Sequence, residues 1–235
     1  MSDDATSSSA AAPLAMREIF VGRNSKVWQG LAPRLAASQF DCVAIGHRDL
    51  SAFAFKALDR VWVLSYSRLA EENAALIARV NEAGVAQVVY LSSSSVIVGR
   101  RTRCYEYPRV KHLAEQAVLA LPHGKVLTVG LVYDHSDELP HGPNVATSLD
   151  ELAAFVCAPH WPDAEGRAKH LFRAVNQPFS GAMERWAYQA YGVLLSVCGS
   201  FPCALRPLDV VLRAAGARWY GYVYLSNRLW ISTIS

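Results

Sequence analysis

Val88-Val-Tyr-Leu-Ser-Ser-Ser-Ser-Val-Ile-Val-Gly99, followed shortly by Tyr107-Pro-Arg-Val-Lys111, is the stretch on which the fold turns. Its first half is an apolar, β-branched run, and the spacing predicts a strand over Gln87–Leu91 that runs straight into a serine cluster. The second half opens a helix. Pro108 is a favoured first helical residue, and Val110, Leu113, Ala114, Ala117, Val118 and Leu121 recur on one face.

Reading outward, the same alternation repeats. Glu18–Val21 is a short apolar run ending at Gly22, and Val27–Ser38 follows as a helix with Leu31 and Leu35 on one face. Pro33 inside it predicts a kink or a late start. Cys42–Ile45 and Arg60–Leu64 are further strands, the latter continuous rather than alternating, as strands covered on both faces are. Leu69–Ala83 reads as a helix burying Leu69, Leu76, Ile77 and Val80, stopped by Gly84. Lys125–Val129 is the fifth strand. Such alternation means crossover units and a parallel sheet. From about Asp134 the pattern changes to a segment rich in Pro, His and Asp, and Ala164–Ser235 reads as a helical cap beside the sheet.

The 235 residues suffice for one well-buried domain. With 52% hydrophobic and 18% charged residues the chain is globular rather than disordered. A net charge of +3 and no extended block of Lys or Arg argue against nucleic acid as a partner. Five isolated cysteines, Cys42, Cys104, Cys157, Cys198 and Cys203, match no zinc spacing and suit a reducing, cytoplasmic setting. His135, His141, His160 and His170 have no ligand spacing, so no metal is expected. Met1–Met16 reads as a flexible tail with acids where a signal peptide carries bases. Tyr191–Leu205 is too short and too broken for a transmembrane segment. Trp219–Tyr224 and Trp230 either complete a core or form an interface or a surface contact with a membrane.

Tyr107 and Lys111, four apart, share one helix face. A phenol beside an ammonium ionises more readily, so the pair suits proton exchange near neutral pH. Alone, such a pair is equally compatible with a structural role, and Ser92–Ser95 with a polar turn. Together, the strand, serine cluster and Tyr–Lys pair resemble the short-chain dehydrogenase/reductase superfamily, in particular its extended, NAD-dependent epimerase/dehydratase-like branch. The resemblance covers roughly Ile19–Asp134, with Val126–Tyr133 similar to a later family strand. It implies a Rossmann-type doubly wound parallel sheet with a small helical C-terminal cap. The organisation is then a tail over 1–16, an NAD(P)-binding core over 17–134, and substrate-side loops and cap over 135–235. Aligning Gly99 with the family glycine makes Ser94 the substrate-holding serine, with Tyr107 exchanging a proton and Lys111 assisting it and the nicotinamide ribose. The implied activity is a sugar-nucleotide epimerase, reductase or dehydratase, with a nucleotide sugar as the small-molecule substrate and homodimers as a family habit.

The first loop departs from the family pattern of three spaced glycines. It reads Gly22-Arg23-Asn24-Ser25-Lys26-Val27-Trp28, keeping one glycine and replacing the last with a bulky residue. Phosphate can still meet amides at the helix N-terminus, aided by Arg23 or Lys26; a closed loop with the site lost is the other outcome. His47 and Arg48 after the second strand favour NADP over NAD, unless they are simply solvated. Ser65 and Tyr66 match the position lining the cofactor groove. The Arg100–Glu106 connection is shorter than in the family. A catalytically silent protein that binds a nucleotide or partner for regulation or assembly is the alternative function.

Overall fold

The computed structural model describes residues 16–64, 67–158, 161, 166–197, 205–216 and 221–234. The tail assigned to residues 1–16 therefore lies outside the described residues, apart from Met16. β1 (Arg17–Val21), β2 (Cys42–Ile45), β3 (Asp59–Val63), β4 (Gln87–Ser93), β5 (Gly124–Val129) and β8 (Ala168–Leu171) form one all-parallel sheet in the order β2-β1-β3-β4-β5-β8. Helices α1 (Lys26–Ala37), α2 (Ala70–Glu82), α3 (Val96–Arg101), α4 (Glu106–Ala120) and α5 (Leu149–Cys157) occupy the crossovers. This is a doubly wound, Rossmann-type α/β fold. The order reverses between β1 and β3, which opens a crevice at the carboxyl edge of the sheet.

Strand periodicity sorts the core into two layers. Ile19, Val21, Val61, Val63, Val88, Tyr90 and Val126 pack on one face with Leu76, Ile77 and Val80 of α2 and Ala114 and Val118 of α4. Phe20, Trp62, Val89, Leu91, Leu127 and Val129 pack on the other with Leu31 and Leu35 of α1 and Leu152 and Val156 of α5. Each central strand is thus apolar on both sides, which is why the runs look continuous in sequence.

Several expectations shift in detail. Pro33 is accommodated within α1 on its exposed side, so the carbonyl deprived of a partner belongs to a turn facing water. Leu69 is not on the buried face of α2; it precedes the helix and is 55% exposed. Leucine offers no side-chain acceptor to the first helical amides; the turn into α2 is held by buried Asn73, whose amide donates to the Leu69 and Ser67 carbonyls and whose oxygen accepts from the Ser67 amide. α4 begins at Glu106, with Pro108 in the first turn where a missing N–H costs nothing, and Leu113 stays exposed.

The larger correction concerns the C-terminal half. The core does not end at Asp134, because α5 covers the sheet and β8 supplies its last strand. A second, three-stranded sheet joins β6 (Leu131–Tyr133), β7 (Gly142–Ser148) and β9 (Arg173–Gln177). Only then come α6 (Ala182–Val197), α7 (Leu205–Ala214) and α8 (Gly221–Ile234). β8 and β9 are short, polar and largely exposed, so they carry no hydrophobic alternation to betray them. Tyr191, Leu195 and Tyr224 knit the helices together. Among the described residues no helix is long and apolar enough to cross a membrane.

Leu127 is fully buried in the centre of the sheet. Leu127→Ala is expected to lower unfolding free energy by about 2–5 kcal/mol, read as a lower urea midpoint with an unchanged slope.

Candidate functional site

A cavity of about 550 Å³ lies at the carboxyl edge of the parallel sheet. Lys26 and Val27 from the first turn of α1 form one wall, and Leu64, Leu91, Ser92 and Ser93 from the ends of β3 and β4 form the floor. Tyr107 and Lys111 of α4 form a second wall, the Val129–Val132 segment a third, and Tyr222 and Val223 of α8 complete it. The helical spacing does bring Tyr107 and Lys111 to one cavity.

Lys111 is held more firmly than its partner. Its ammonium is buried, donates to the Leu91 carbonyl at 3.0 Å, and stands 4.7 Å from the centre of the Tyr90 ring. Burial pushes its pKa down to about 8, against a smaller upward pull from Glu115. Near neutrality this nitrogen can therefore exchange a proton. The Tyr107 ring lies half-buried and stacked on Tyr222, with centroids 5.5 Å apart.

The serines are distributed differently from the alignment-based expectation. β4 continues through Ser93, which pairs with Val129, two residues beyond the predicted strand end. Ser94 then donates its amide to the Val129 carbonyl at 2.7 Å. Its hydroxyl accepts from Ser226 at 3.3 Å, and its carbonyl accepts from the Trp230 indole at 2.7 Å. Ser94 is thus stitched to α8, while Ser92 and Ser93 are the serines that line the cavity. The Ser93 oxygen is oriented by the Ser95 hydroxyl at 3.0 Å, and the buried Ser92 hydroxyl has no hydrogen-bond partner among the described residues.

The divergent loop is built, not collapsed. Gly22 has φ +118°, the one position that demands glycine. Ser25 has φ −72°, which any residue adopts, and its hydroxyl accepts from the Trp28 amide as the N-cap of α1. The first-turn residues Lys26 and Val27 border the cavity, where amides lacking intrahelical partners suit a phosphate. Arg23 pairs with Asp49 at 3.2 Å, and Asn24 is exposed. His47 and Arg48 are exposed on a short helical turn and do not border the cavity. Ser65 and Tyr66 lie outside the described residues. The loop residues therefore fit a dinucleotide's pyrophosphate, and the cavity runs from there to Tyr107 and Lys111.

The sequence did not point to Ser93, Tyr222 or Val223 as cavity-lining residues. Trp230 closes on His170 and Phe172, both at 4.9 Å, and Asn227 accepts from the Val145 amide at 3.0 Å. The aromatic C-terminal run thus completes a core; Trp219 lies outside the described residues. His141 pairs with Glu184 at 2.8 Å, His135 is exposed, and His160 lies outside the described residues. No group of three metal-ligating side chains occurs among the described residues. Cys42 and Cys157 are part-buried free thiols; Cys198 and Cys203 lie outside the described residues.

No protein-family profile matches the chain, and no curated protein matches its sequence. Solved structures do match its fold. A short-chain dehydrogenase/reductase superfamily protein from Agrobacterium tumefaciens, solved with NAD, is 13% identical over 68% of this chain and 79% of that one, with a TM-score of 0.54. A dTDP-4-dehydrorhamnose reductase from Bacillus anthracis, solved with NADP, is 11% identical over 80% of this chain and 83% of that one, with a TM-score of 0.52. The UDP-N-acetylglucosamine 4-epimerase from Bacillus cereus is 12% identical over 69% and 80%, with a TM-score of 0.50.

The depressed Lys111 pKa makes a stability prediction. Between about pH 8 and the ordinary lysine value of 10.5 the unfolded chain holds a proton that the native state has shed. Native stability gains from this group as pH rises through that window. Lys111→Met should flatten the gain, measured as urea midpoints across the window.

Proposed function

We propose that the chain is an NAD(P)-dependent oxidoreductase or epimerase acting on a hydroxyl or carbonyl of a small molecule, with a nucleotide sugar as the substrate class. The observation that carries this reading is a single cavity joining the N-terminus of α1 to Tyr107 and Lys111. Its volume of about 550 Å³ is in the range of small-molecule sites. The NAD and NADP held by two structural neighbours support a dinucleotide here, although a fold alone does not fix an activity.

When bound, the nicotinamide would supply or accept the hydride. The chain's own residues do the rest. The Tyr107 hydroxyl gives a proton to the reacting oxygen or takes one from it. Lys111, fixed by the Leu91 carbonyl, provides the adjacent cationic N–H that favours phenolate. Ser93 offers the substrate oxygen a hydroxyl from the cavity floor, whereas Ser94 is turned to α8 and does not line the cavity. The Arg48 guanidinium favours NADP by charge, with His47 beside it. Cytoplasmic residence suits the Cys42 and Cys157 thiols, and a second copy is the natural partner of α4, whose Leu113 is exposed beside Ala70, Ala74 and Ala117.

The silent alternative draws on a specific contact as well, the stacking of Tyr222 on Tyr107. Fluorescence titration with NADPH and NADH, followed by turnover assays on nucleotide sugars, separates the two. Binding is expected, with Arg48→Ala costing about tenfold in NADPH preference. Tyr107→Phe should reduce turnover about a hundredfold or more without loss of binding, and Ser93→Ala should cost more than Ser94→Ala. No binding of either nucleotide by folded protein refutes the proposal; binding without turnover of any sugar nucleotide favours the silent reading.

A further inference from the structure

A second cavity, also about 550 Å³, lies against the opposite face of α4. Tyr107 and Lys111 line the first cavity, whereas Arg109 and His112 line this one. At 100° per residue the two pairs project to different sides of the helix. The end of α3 and the short connection after it close the far wall with Arg100, Arg101 and Arg103. Four guanidinium groups and an imidazole therefore border one concave space.

The counter-charge facing them is small. Glu115, buried on α4, takes Arg100 at 3.1 Å and stands 3.6 Å from His112 Nδ1. Arg101, Arg103 and Arg109 make no ion pair among the described residues. His112 Nδ1 is buried and has no hydrogen-bond partner among them either. The C-terminal carbonyls of α3 favour Arg100 and Arg101, but Arg103 and Arg109 lie beyond that helix. Like charges gathered in a cleft repel one another and focus a positive field into it. A chain with 20 acidic residues and a net charge of only +3 has not placed a second one here.

We propose that this cavity binds a small phosphorylated anion carrying a diphosphate group. Guanidinium forks grip phosphate oxygens in pairs, and three of the four forks lack a carboxylate. The volume fits a small ligand, and the concave shape limits access by a broad polyanionic surface. The Arg100–Glu115 pair clamps α3 against α4 and presets the wall. The site is independent of the proposed dinucleotide groove, which reaches phosphate through the first turn of α1.

Calorimetry with inorganic pyrophosphate on the full chain at low salt tests this. Binding is expected, with Arg103→Gln combined with Arg109→Gln weakening it at least about tenfold. The Lys-substituted pair, Arg103→Lys with Arg109→Lys, should retain part of the affinity, and Lys56→Gln, at an exposed position bordering neither cavity, should leave it unchanged. Absence of binding overturns the proposal. So does binding lost with Lys26→Gln but kept in the double Gln variant, which would put the anion at the α1 groove. A single-stranded oligonucleotide that binds more tightly than pyrophosphate through the same arginines would also overturn it.

Discussion

An amine buried beneath the carboxyl edge of a parallel sheet is costly unless its protons are used, and Lys111 uses them on the Leu91 carbonyl. That bond joins the middle of α4 to the end of β4. Together with Ala114 and Val118, which pack on the sheet, it sets the rotation of α4 about its own axis. Once that rotation is set, Tyr107 one turn earlier has to enter the carboxyl-edge cavity. Arg109 and His112 have to face away from it. The rotation of this one helix thereby decides which of its residues each cavity receives.

The loop at the start of α1 shows how a glycine pattern can lapse while its geometry survives. A small residue in the third position normally lets the helix approach the sheet. Here Trp28 fills that layer, packing on Phe20 at 4.9 Å in a series continued by Trp62 and Phe155. The close approach is transferred to the side of α1 that faces α5. A Cβ on Gly30 would meet Leu149 Cδ1 at 2.4 Å, so α1 and α5 touch there instead. The first turn still opens on the cavity because Ser25 caps it and needs no left-handed backbone.

The sheet was legible because burial on both faces leaves an unbroken apolar run in each central strand. The helices facing it were legible from their stripes, with errors at ends such as Leu69, where exposure rather than periodicity decides. β8 and β9 were not legible, since edge strands with half-exposed polar residues leave neither pattern. Tyr107 and Lys111 could be read because their relation is local to one helix. The choice among Ser92, Ser93 and Ser94 could not, because it depends on how far β4 pairs with β5 and on where Ser226 and Trp230 come to rest. No local signal connects positions more than a hundred residues apart. The basic cavity is local in sequence, yet Arg100, Arg101, Arg103 and Arg109 look there like ordinary solvated charges, because only the packing of α3 against α4 makes the space they border concave.

The C-terminal helices bear on the site through a buried carboxylate. Asp209 accepts from Tyr105 at 2.9 Å and from Tyr191 at 2.5 Å, and the Tyr191 oxygen accepts from the Gly221 amide at 2.8 Å. Burial and the neighbouring Asp209 push the Tyr105 pKa upward, so that phenol stays protonated and keeps donating. The chain of bonds runs from the residue that precedes α4 to the first residue of α8. It determines where Tyr222 lies relative to Tyr107, two positions further along α4. Removing either phenol would leave the carboxylate under-satisfied in a buried place, a larger penalty than the loss of one neutral bond. The cover over Tyr107 is therefore integral to the folded cap, and the cap belongs to the site's own construction.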